Sequence, residues 1–308
     1  MSDFGGHPAV WVIIPVRNRW DLTKTCLGSL VGQTYSAYSV VVIDDGSTDG
    51  TAEHLAQEFP EVAVLSGDGE LWWTGATALG VGWVLEQCSQ DDFVLTLNND
   101  TTVDPDYIEV LLGVAAARHR RALIGSVAVD NRDCDTIVDG GPHINWVTAK
   151  GGSHHSGESL QTVRGDGIAH TEPDLLPGRG TLIPVRCIRE IGSFDAKRLP
   201  HYGADYEFSA RARRAGYGLV MSYEAPVYSE VEATGVTTKH GRLSWREFVK
   251  MFASRRSPAC LLYRWRFAIL SAPRHLAPIF LVMDTARVLL GGLRDQLRHQ
   301  RLGKSGGD

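Results

Sequence analysis

The stretch Val40-Val-Val-Ile-Asp-Asp-Gly-Ser-Thr-Asp49 decides the fold class, because a β-branched run stops at a cluster of carboxylates. β-Branched residues favour a strand, and Gly46 permits a sharp turn after Asp44 and Asp45. Residues 51–59 continue with a helical pattern. The segment therefore predicts a buried strand, a polar turn and a helix in direct succession.

The same alternation extends to both sides of this segment. Short apolar runs predict strands at residues 10–14, 62–65, 93–97 and 180–185, and helical patterns follow from Asp21 (as cap) to Leu30 and at 75–88, 106–118 and 205–215. Strands that alternate with helices of this length indicate a parallel sheet covered by helices on both faces. We therefore predict an α/β fold with a single Rossmann-like, mostly parallel sheet flanked by helices, and C-terminal amphipathic helices after it.

Charge divides the chain into two parts. Residues 240–308 contain 13 basic and 4 acidic residues, a net charge of +9, whereas residues 1–239 contain 18 basic and 32 acidic residues, a net charge of −14. We predict an α/β domain over 1–239 and a basic amphipathic helical extension over 240–308, with helices at 245–252 and 279–297. The acidic body argues against nucleic acid as a partner, since a basic face would be needed.

Cysteine spacing and apolar patterns predict the cellular location of the protein. The five cysteines are widely spaced without a CxxC pair, which fits neither a zinc site nor a disulfide framework. Residues 1–8 lack a signal-peptide pattern, so we expect a cytoplasmic protein. Charges and prolines interrupt the apolar stretch 267–293, so no membrane span is expected. Basic and aromatic residues of the extension favour peripheral attachment to an anionic inner membrane face; packing on the domain is the alternative.

Polar residues follow three of the predicted strands, where open α/β sheets bind ligands. These sets are Arg17/Asn18, Asp44/Asp45 and Asn98/Asn99/Asp100, and Asp205 opens a later helix. Taken singly, each set fits a turn or a helix cap equally well. Residues 130–177 are rich in Gly, His, Ser and Asp, and we predict loops with a β-hairpin over the site, shaping its acceptor side.

The order and spacing of these motifs resemble the family 2 glycosyltransferases, which have the GT-A fold. The resemblance runs from about residue 11 to 228 through Ile13-Ile-Pro-Val-Arg-Asn18, Val41-Val-Ile-Asp-Asp-Gly-Ser-Thr-Asp49, Leu97-Asn-Asn-Asp-Thr101, Gly180-Thr-Leu-Ile-Pro184 and Gly203-Ala-Asp-Tyr-Glu-Phe-Ser209. It is strongest to the bacterial branch that includes rhamnosyltransferase-like enzymes of surface polysaccharide assembly.

The resemblance implies an inverting, metal-dependent glycosyltransferase of surface polysaccharide or glycolipid synthesis. Such an enzyme moves a sugar from a UDP-, dTDP- or GDP-linked donor to a hydroxyl of a glycan or lipid-linked acceptor. Its cofactor would be a divalent cation, Mn²⁺ or Mg²⁺. The base, the sugar and the acceptor cannot be read from these motifs.

The resemblance also implies roles for individual residues. Asp205 matches the catalytic aspartate, and Asp100 matches the last acid of the metal-binding DxD-type motif. The nucleotide pocket is expected to contain Pro15, Arg17, Asn18, Asp44, Asp45, Asn98 and Asn99, with Asp45 on the base and Asp44 on the ribose side. Donor and acceptor sugars are expected near Trp72, Trp73, Gly180, His201, Tyr202, Ala204 and Glu207.

Two positions depart from the family pattern. Asn98 stands where many members carry an acid, and Ala204 stands where the first acid of the catalytic pair is expected, with Glu207 as a candidate to compensate. Candidates for a further metal ligand are Glu230, Glu232 and His240. These departures leave open a non-catalytic nucleotide-sugar binding module. A nucleotidyltransferase is the other alternative, although the chain lacks a Gly-rich, Lys/Arg-bearing loop after the first strand.

Overall fold

A computed structural model describes residues 7–230, 245–254 and 257–302 of the chain. Its strands are β1 Val10–Val16, β2 Tyr38–Asp44, β3 Ala63–Ser66, β4 Phe93–Thr96, β5 Thr101–Val103, β6 Ala122–Asp130, β7 Ile137–Asp139, β8 Pro142–Asn145, β9 Lys150–Ser153, β10 His170–Thr171, β11 Thr181–Pro184 and β12 Gly218–Ser229. Its helices are α1 Trp20–Leu30, α2 Thr51–Glu58, α3 Trp72–Leu85, α4 Tyr107–Ala117, α5 Leu160–Gly165, α6 Val185–Ile191, α7 Ala204–Arg214, α8 Trp245–Met251, α9 Leu261–Ser271 and α10 Ala277–Leu302.

One large sheet organises the molecule, and the predicted α/β class is confirmed. Its strand order is β10-β12-β6-β11-β4-β1-β2-β3, with β5 paired to β12 and β7 to β6. The half built from β3, β2, β1 and β4 is parallel, whereas β11 runs antiparallel to both β4 and β6. The carboxyl ends of β1, β2 and β4 therefore meet at one edge, as the sequence predicted.

Alternate side chains of β1 explain why both faces of the sheet carry helices. Val10, Val12 and Ile14 pack into the core beside α1, α2 and α4, while Trp11 and Ile13 pack into the core beside α3, α6 and α7. The strand is buried along nearly its whole length. A strand buried on both faces reads as a continuous apolar run, which is typical of parallel sheets.

Two helix boundaries differ from the sequence prediction. α1 begins at Trp20, and Asp21 does not cap it: the Trp20 amide donates to the Asp49 carboxylate at 3.0 Å. The helix is thus capped by Asp49, which lies in the loop after β2. α3 begins at Trp72, three residues before the predicted Gly75, because the Asp45 carboxylate accepts the Leu71 and Trp72 amides at the helix start.

Helices α9 and α10 pack on the α/β body by one face. Cys260, directly before α9, and Tyr263 of α9 share a buried cluster with Ala204 at the start of α7. Trp146, from the β8–β9 hairpin, lies 5.0 Å from Phe280 between ring centres. α9 was not among the predicted helices, since its basic and aromatic residues suggested a membrane surface. No helix within the described residues is long and apolar enough to cross a bilayer.

The predicted division at residue 239 stays a prediction, because the described residues stop at 230 and resume at 245. The basic pair Arg255 and Arg256, which supported the membrane hypothesis, also lies outside the described residues. The predicted hairpin within 130–177 is present as β8 and β9, which pair antiparallel from Pro142–Ser153 to Asn145–Lys150.

Candidate active site

The loops after β1 and β2 are tied together at the carboxyl edge of the sheet. The Asn18 amide donates to Ser47 Oγ at 2.7 Å, and Asn18 Oδ1 accepts from the Thr48 amide at 2.8 Å. Asp44 Oδ1 accepts from the Ser47 amide at 2.9 Å. Asn18 has a φ of 58°, a left-handed conformation that asparagine tolerates better than most residues. Pro15, on β1, pairs in register with β2, so these predicted nucleotide residues occupy one corner.

Asp45 is buried and directs its carboxylate at the main chain. Oδ1 accepts from the amides of Gly69 and Leu71 at 2.8 and 3.2 Å, and Oδ2 accepts from the Trp72 amide at 3.0 Å. Arg17 holds the same segment by donating to the Gly69 carbonyl. Three of the roughly four acceptor positions of a carboxylate are occupied. Asp45 therefore orders the loop that leads into α3, and its contact with the base stays a prediction.

Trp73 connects three segments of the candidate site. Its indole N–H donates to Asn98 Oδ1 at 3.0 Å, and its ring covers Gly178 so closely that an added Cβ there would lie 2.2 Å from Cζ2. The neighbouring Asn99 donates from Nδ2 to Thr23 Oγ1 at 3.0 Å. Asn98 and Asn99 thus place the turn after β4 against α1 and α3. Only a glycine at 178 allows this indole position.

Trp72 stands beside the loop that precedes α7. Its ring centre lies 5.3 Å from that of His201, which in turn lies 4.1 Å from that of Tyr202. The Thr74 amide donates to the Pro200 carbonyl at 3.3 Å, which fixes α3 against the same loop. Burial lowers the pKa of His201. The structure therefore groups Trp72, His201 and Tyr202 on one side of the site.

Asp205 lies in the first turn of α7 and is half-buried. Its Oδ2 accepts from the Gly178 amide at 2.8 Å. Burial raises the pKa of Asp205, and the amide hydrogen bonds of Gly178 and Tyr206 oppose that rise. The negative charge of Asp139 adds to the increase in the pKa. A partly exposed carboxylate with a raised pKa is suited to accept a proton.

Asp100 is buried at the end of the β4 segment, with 9 % of its surface exposed. Its Oδ1 has no hydrogen-bond partner among the described residues, and its Oδ2 lies 3.8 Å from the Arg19 guanidinium. Burial raises the pKa of Asp100, and the charges of Arg179 and Arg19 oppose the rise. A buried carboxylate oxygen without a partner costs free energy, which points to a ligand.

Arg179 is a further site residue, which sequence reasoning did not select. Its Nη1 donates to Ser229 Oγ at 3.2 Å, and its Nη2 lies 3.8 Å from Asp139 Oδ2. Its Nε is buried without a hydrogen-bond partner among the described residues, and its charge acts on Asp100. The available signal was a single cation between two glycines directly before a strand. That pattern brings a guanidinium close to the main chain at a sheet edge.

The residues around Asp100 fit a divalent cation. The described residues contain no group of three or more His, Cys, Asp or Glu side chains that could hold a metal ion. Mg²⁺-like ions are commonly held by one or two carboxylates together with substrate phosphates, so a single acidic ligand is sufficient. The Glu230 amide donates to the Asp100 carbonyl at 3.0 Å, which places Glu230 nearby. Glu232 and His240 lie outside the described residues.

Two predicted sugar-binding residues have structural roles instead. Gly180 has a φ of +75°, and a Cβ added there would lie 2.8 Å from Tyr107 Oη and from Val227 Cγ1. It is therefore packed in the core. Glu207 is 2 % exposed and accepts from Arg211 Nε and Nη2, both at 3.0 Å. It is paired one helical turn away and does not replace the missing acid.

Ala204 is also corrected by the structure. It is fully buried in a cluster with Leu199, Cys260 and Tyr263, so it cannot contact a sugar. The helix start turns Ala204 toward α9, whereas Asp205 turns toward Gly178. An acid at position 204 would have to enter this apolar cluster. The departure from the family pattern therefore matches the packing of the C-terminal helices.

The predicted acidic residues are joined by short connections at one edge of the sheet. Asp45 holds the segment that begins α3, Trp73 from α3 contacts both Asn98 and Gly178, and the Gly178 amide reaches Asp205. Arg179, next to Gly178, acts electrostatically on Asp100. The residues next to these acids therefore contact one another at the carboxyl ends of β1, β2 and β4.

Known proteins with a similar sequence are glycosyltransferases. An N-acetylglucosaminyl-diphospho-decaprenol L-rhamnosyltransferase of Mycobacterium tuberculosis is 26 % identical over 233 residues, covering 68 % of this chain and 72 % of that protein. An uncharacterized glycosyltransferase of Escherichia coli is 42 % identical over 57 residues, covering 18 % of this chain and 17 % of that protein.

Solved structures show the same fold. A mannosyltransferase of Pyrobaculum calidifontis in complex with GDP-Man and Mn²⁺ superposes with a TM-score of 0.57 at 17 % identity, covering 99 % of this chain and 77 % of that one. GalNAc-T7 with UDP, GalNAc and Mn²⁺ gives 0.58 at 15 % identity, covering 96 % of this chain and 58 % of that one. The predicted GT-A fold is confirmed.

Family models agree with the motifs and the fold. The model of glycosyl transferase family 2 matches residues 11–164, and that of glycosyl transferase family group 2 matches residues 93–282. The predicted resemblance to the rhamnosyltransferase-like bacterial branch is confirmed by the mycobacterial relative. The chain belongs to glycosyl transferase family 2 and is a nucleotide-sugar glycosyltransferase.

Proposed function

We propose that this protein is an inverting, divalent-cation-dependent enzyme that moves a sugar from a nucleotide diphosphate to an acceptor hydroxyl. One observation carries the proposal: the Gly178 amide donates to Asp205, and the charge of the next residue, Arg179, acts on the buried Asp100. Asp100, which would hold a charge-neutralising cation, and Asp205, which would accept a proton, thus lie on either side of residues 178–179. Transfer of a sugar from a nucleotide diphosphate needs both functions.

The chain's own residues supply donor binding and leaving-group stabilisation. The corner formed by Asn18 and Asp44 receives the nucleoside, and the Arg179 guanidinium faces the diphosphate, where its buried Nε gains a partner. Asp100 would hold the cation, with Glu230 as a second candidate ligand. A bound Mn²⁺ or Mg²⁺ would supply a Lewis acid that neutralises the leaving diphosphate.

Asp205 performs the proton transfer in this mechanism. Its carboxylate accepts the proton of the acceptor hydroxyl as the oxygen attacks C1 of the donor sugar. The C1–oxygen bond to the diphosphate breaks on the opposite face, and its electron pair leaves with the diphosphate. Configuration at C1 is therefore inverted, and no covalent sugar–enzyme intermediate is formed. The Gly178 amide orients the carboxylate for this role.

The acceptor and the location are also parts of the proposal. The mycobacterial relative is named for a sugar linked through diphosphate to decaprenol, so we infer a glycan or lipid-linked acceptor for this chain as well. α9 and α10 expose Leu262, Ile269, Val282 and Leu290. Exposed arginines lie on the same part of the chain, at 274 and 287. Apolar and basic side chains together favour peripheral binding to an anionic membrane.

Incubation of the purified chain with UDP-, dTDP- and GDP-sugars, with and without Mn²⁺ or Mg²⁺, tests the function. Slow donor hydrolysis that releases nucleoside diphosphate and needs the cation is expected. Release of inorganic pyrophosphate would instead identify a nucleotidyltransferase. Binding of a donor without any turnover, even with acceptor extracts, would identify a non-catalytic module.

A further inference from the structure

Asp139 ends β7 and faces the segment that precedes β11. Its Oδ2 lies 3.8 Å from Arg179 Nη2, and the side chains of Asp139 and Arg179 are only 16 % and 15 % exposed. An ion pair that is mostly withdrawn from water is screened less than a surface pair. Asp139 therefore attracts a guanidinium of the candidate site from a region in which the sequence indicated no individual site residue.

Hydrogen bonds to its other oxygen fix the orientation of the Asp139 carboxylate. Oδ1 accepts from Ser153 Oγ at 2.6 Å and from the Gly141 amide at 3.1 Å. Ser153 Oγ in turn accepts from the Gly140 amide at 2.8 Å, which ties β9 to the end of β7. These donors are neutral, so they orient the carboxylate without cancelling its charge. The folded β7–β9 segment thus directs that charge at Arg179.

Arg179 passes this constraint to the residue before it. Its Nη1 also donates to Ser229 Oγ at 3.2 Å, so the guanidinium is held between β7 and β12. The preceding residue, Gly178, donates its amide to Asp205 Oδ2 at 2.8 Å. Because residues 178 and 179 are bonded neighbours, fixing the guanidinium restricts where that amide can point. Asp139 and Asp205 are therefore attached to the same dipeptide.

The charge of Asp139 also acts on Asp205. Burial raises the pKa of Asp205, and the negative charge of Asp139 raises it further. The other charged side chains of this region are paired: Arg179 faces Asp139, and Glu207 of α7 is bound by Arg211 one turn later. A base near a second carboxylate holds an accepted proton more strongly.

The titratable side chains nearest to Asp205 along the chain contribute no charge. Burial lowers the pKa of His201, and burial raises the pKa of both Tyr202 and Tyr206. All three are therefore uncharged near neutral pH. The electrostatic influence on Asp205 thus comes from Asp139, on a different element of the fold.

We propose that Asp139 is a positioning residue for Asp205 and acts through its ion pair with Arg179. The pair holds residues 178–179 in place, so that the Gly178 amide points the Asp205 carboxylate at the acceptor hydroxyl. The inference rests on the proposed function and adds a residue to the same site.

The rate of donor hydrolysis as a function of pH tests the role of Asp139, with the nucleotide sugar and cation that the wild-type chain uses. Asp139→Asn keeps the shape of the side chain and removes its charge. It should lower kcat by about 10–100-fold, since small displacements of a catalytic group cost up to about 10²-fold. The acid limb of kcat/KM should move to lower pH, because the charge that raises the pKa of Asp205 is lost. Asp139→Glu retains the charge and should keep the limb near its wild-type position.

Two further variants separate this role from a purely structural one. Asp174→Asn is the matched control, because Asp174 also fixes the β8–β9 hairpin by accepting from the Ile144 amide at 2.8 Å. It should leave the acid limb in place and kcat within about threefold. Ser153→Ala removes a donor to Asp139 but not the charge, so kcat should fall several-fold while the limb stays.

A double-mutant cycle shows whether Asp139 works through Asp205. If it does, Asp139→Asn should slow the Asp205→Asn chain no further, since mutations that act through one group are not additive. Independent losses in the double variant, or an unmoved acid limb in a folded Asp139→Asn chain, would overturn the inference. A wild-type chain that hydrolyses donor while Asp139→Asn is silent refutes the role of Asp139 alone. A wild-type chain that hydrolyses no donor refutes the proposed function, and the inference with it.

Discussion

At the scale of single residues, Asp205 and Asp45 show how differently two acids of one site can be used. Asp45 accepts three main-chain amides within the fold, whereas Asp205 accepts two, from Gly178 and Tyr206. A carboxylate whose acceptor positions are mostly occupied by main-chain amides holds a loop in place. One that retains acceptor capacity can take a proton from a substrate. Sequence position alone does not distinguish the two.

Asp205→Asn should reduce kcat by about 10²–10⁴-fold, the usual contribution of a general base. The amide is isosteric, so donor binding should be preserved. Initial rates with saturating donor measure the loss, and a thermal-shift titration with nucleotide measures binding. Asp166→Asn, at an exposed carboxylate after α5, is the control and should be silent. Near-normal turnover in Asp205→Asn would remove Asp205 from the mechanism.

The pH dependence of the reaction should reflect the raised pKa of Asp205. The base must be ionised to act, so kcat/KM should fall as the pH drops through that pKa. The acid limb is therefore expected at a higher pH than an ordinary aspartate would give. Asp100 also has a raised pKa and would lose cation affinity on protonation. Measuring nucleotide binding with saturating Mn²⁺ over the same pH range separates the two, and an acid limb at the ordinary aspartate value would contradict the assignment.

Asp100→Ala should abolish the stimulation of turnover by Mn²⁺ or Mg²⁺, because it removes the buried oxygen that lacks a partner among the described residues. The stabilising effect of Mn²⁺ plus nucleotide on the melting temperature should disappear as well. Asp106→Ala, at an exposed carboxylate before α4, serves as the control. Unchanged cation dependence in a folded Asp100→Ala protein would rule out Asp100 as the ligand.

At the scale of elements, the Glu207–Arg211 pair fastens α7 to the end of α6. Arg211 also donates to the carbonyls of residues 191, 192 and 193, so one guanidinium joins the two helices. A pair at i and i+4 on a helix is readily found in a sequence. The sequence does not show, however, that the end of α6 contacts this pair. The resemblance favoured a site role for Glu207, and the packing assigns it a structural one.

Glu207→Ala should lower the free energy of unfolding by about 3–5 kcal/mol, because it leaves the partly buried Arg211 guanidinium without its carboxylate partner. The control is Asp91→Ala, which breaks the exposed pair with Arg186 and should cost no more than about 1 kcal/mol. Urea unfolding followed by circular dichroism gives both values. An equal decrease in the free energy of unfolding in both variants would show that burial does not make the Glu207–Arg211 pair more stabilising than an exposed pair.

At the scale of the whole molecule, α9 and α10 have one face on the α/β body and an opposite face with exposed apolar side chains. The two hypotheses for the C-terminal extension, packing on the domain and contact with a membrane, are therefore compatible. Packing uses Cys260, Tyr263 and Phe280, while Leu262 and Leu290 remain available.

The full chain should bind vesicles that contain anionic lipid, and binding should weaken as salt is raised, since screening reduces the attraction of the basic residues. Leu290→Asp should reduce binding several-fold. Val31→Asp is the matched control, because Val31 is 63 % exposed and Leu290 is 65 % exposed, and Val31 lies after α1. Vesicle flotation measures both. Equal loss in the two variants, or no binding at low salt, would contradict membrane attachment through α10.

The sequence by itself determined the α/β class, a mostly parallel sheet and the edge at which the polar residues after β1, β2 and β4 lie. These features follow from local patterns: apolar runs, turn residues after them and helical periodicity. The antiparallel strand β11 and the parallel pair β6 and β12 have partners far away in the chain, so their arrangement was decided by tertiary packing.

Tertiary structure alone decided which residues of the site are available for chemistry. Asp45 is engaged by amides about 25 residues away, Ala204 is covered by α9, and Arg179 reaches Ser229 and Asp139. Hydrogen bonding and burial depend on groups that become neighbours only when the chain is folded. A sequence motif determines the backbone position of a side chain. Its neighbours in the folded protein determine whether its polar atoms remain free to bind a substrate.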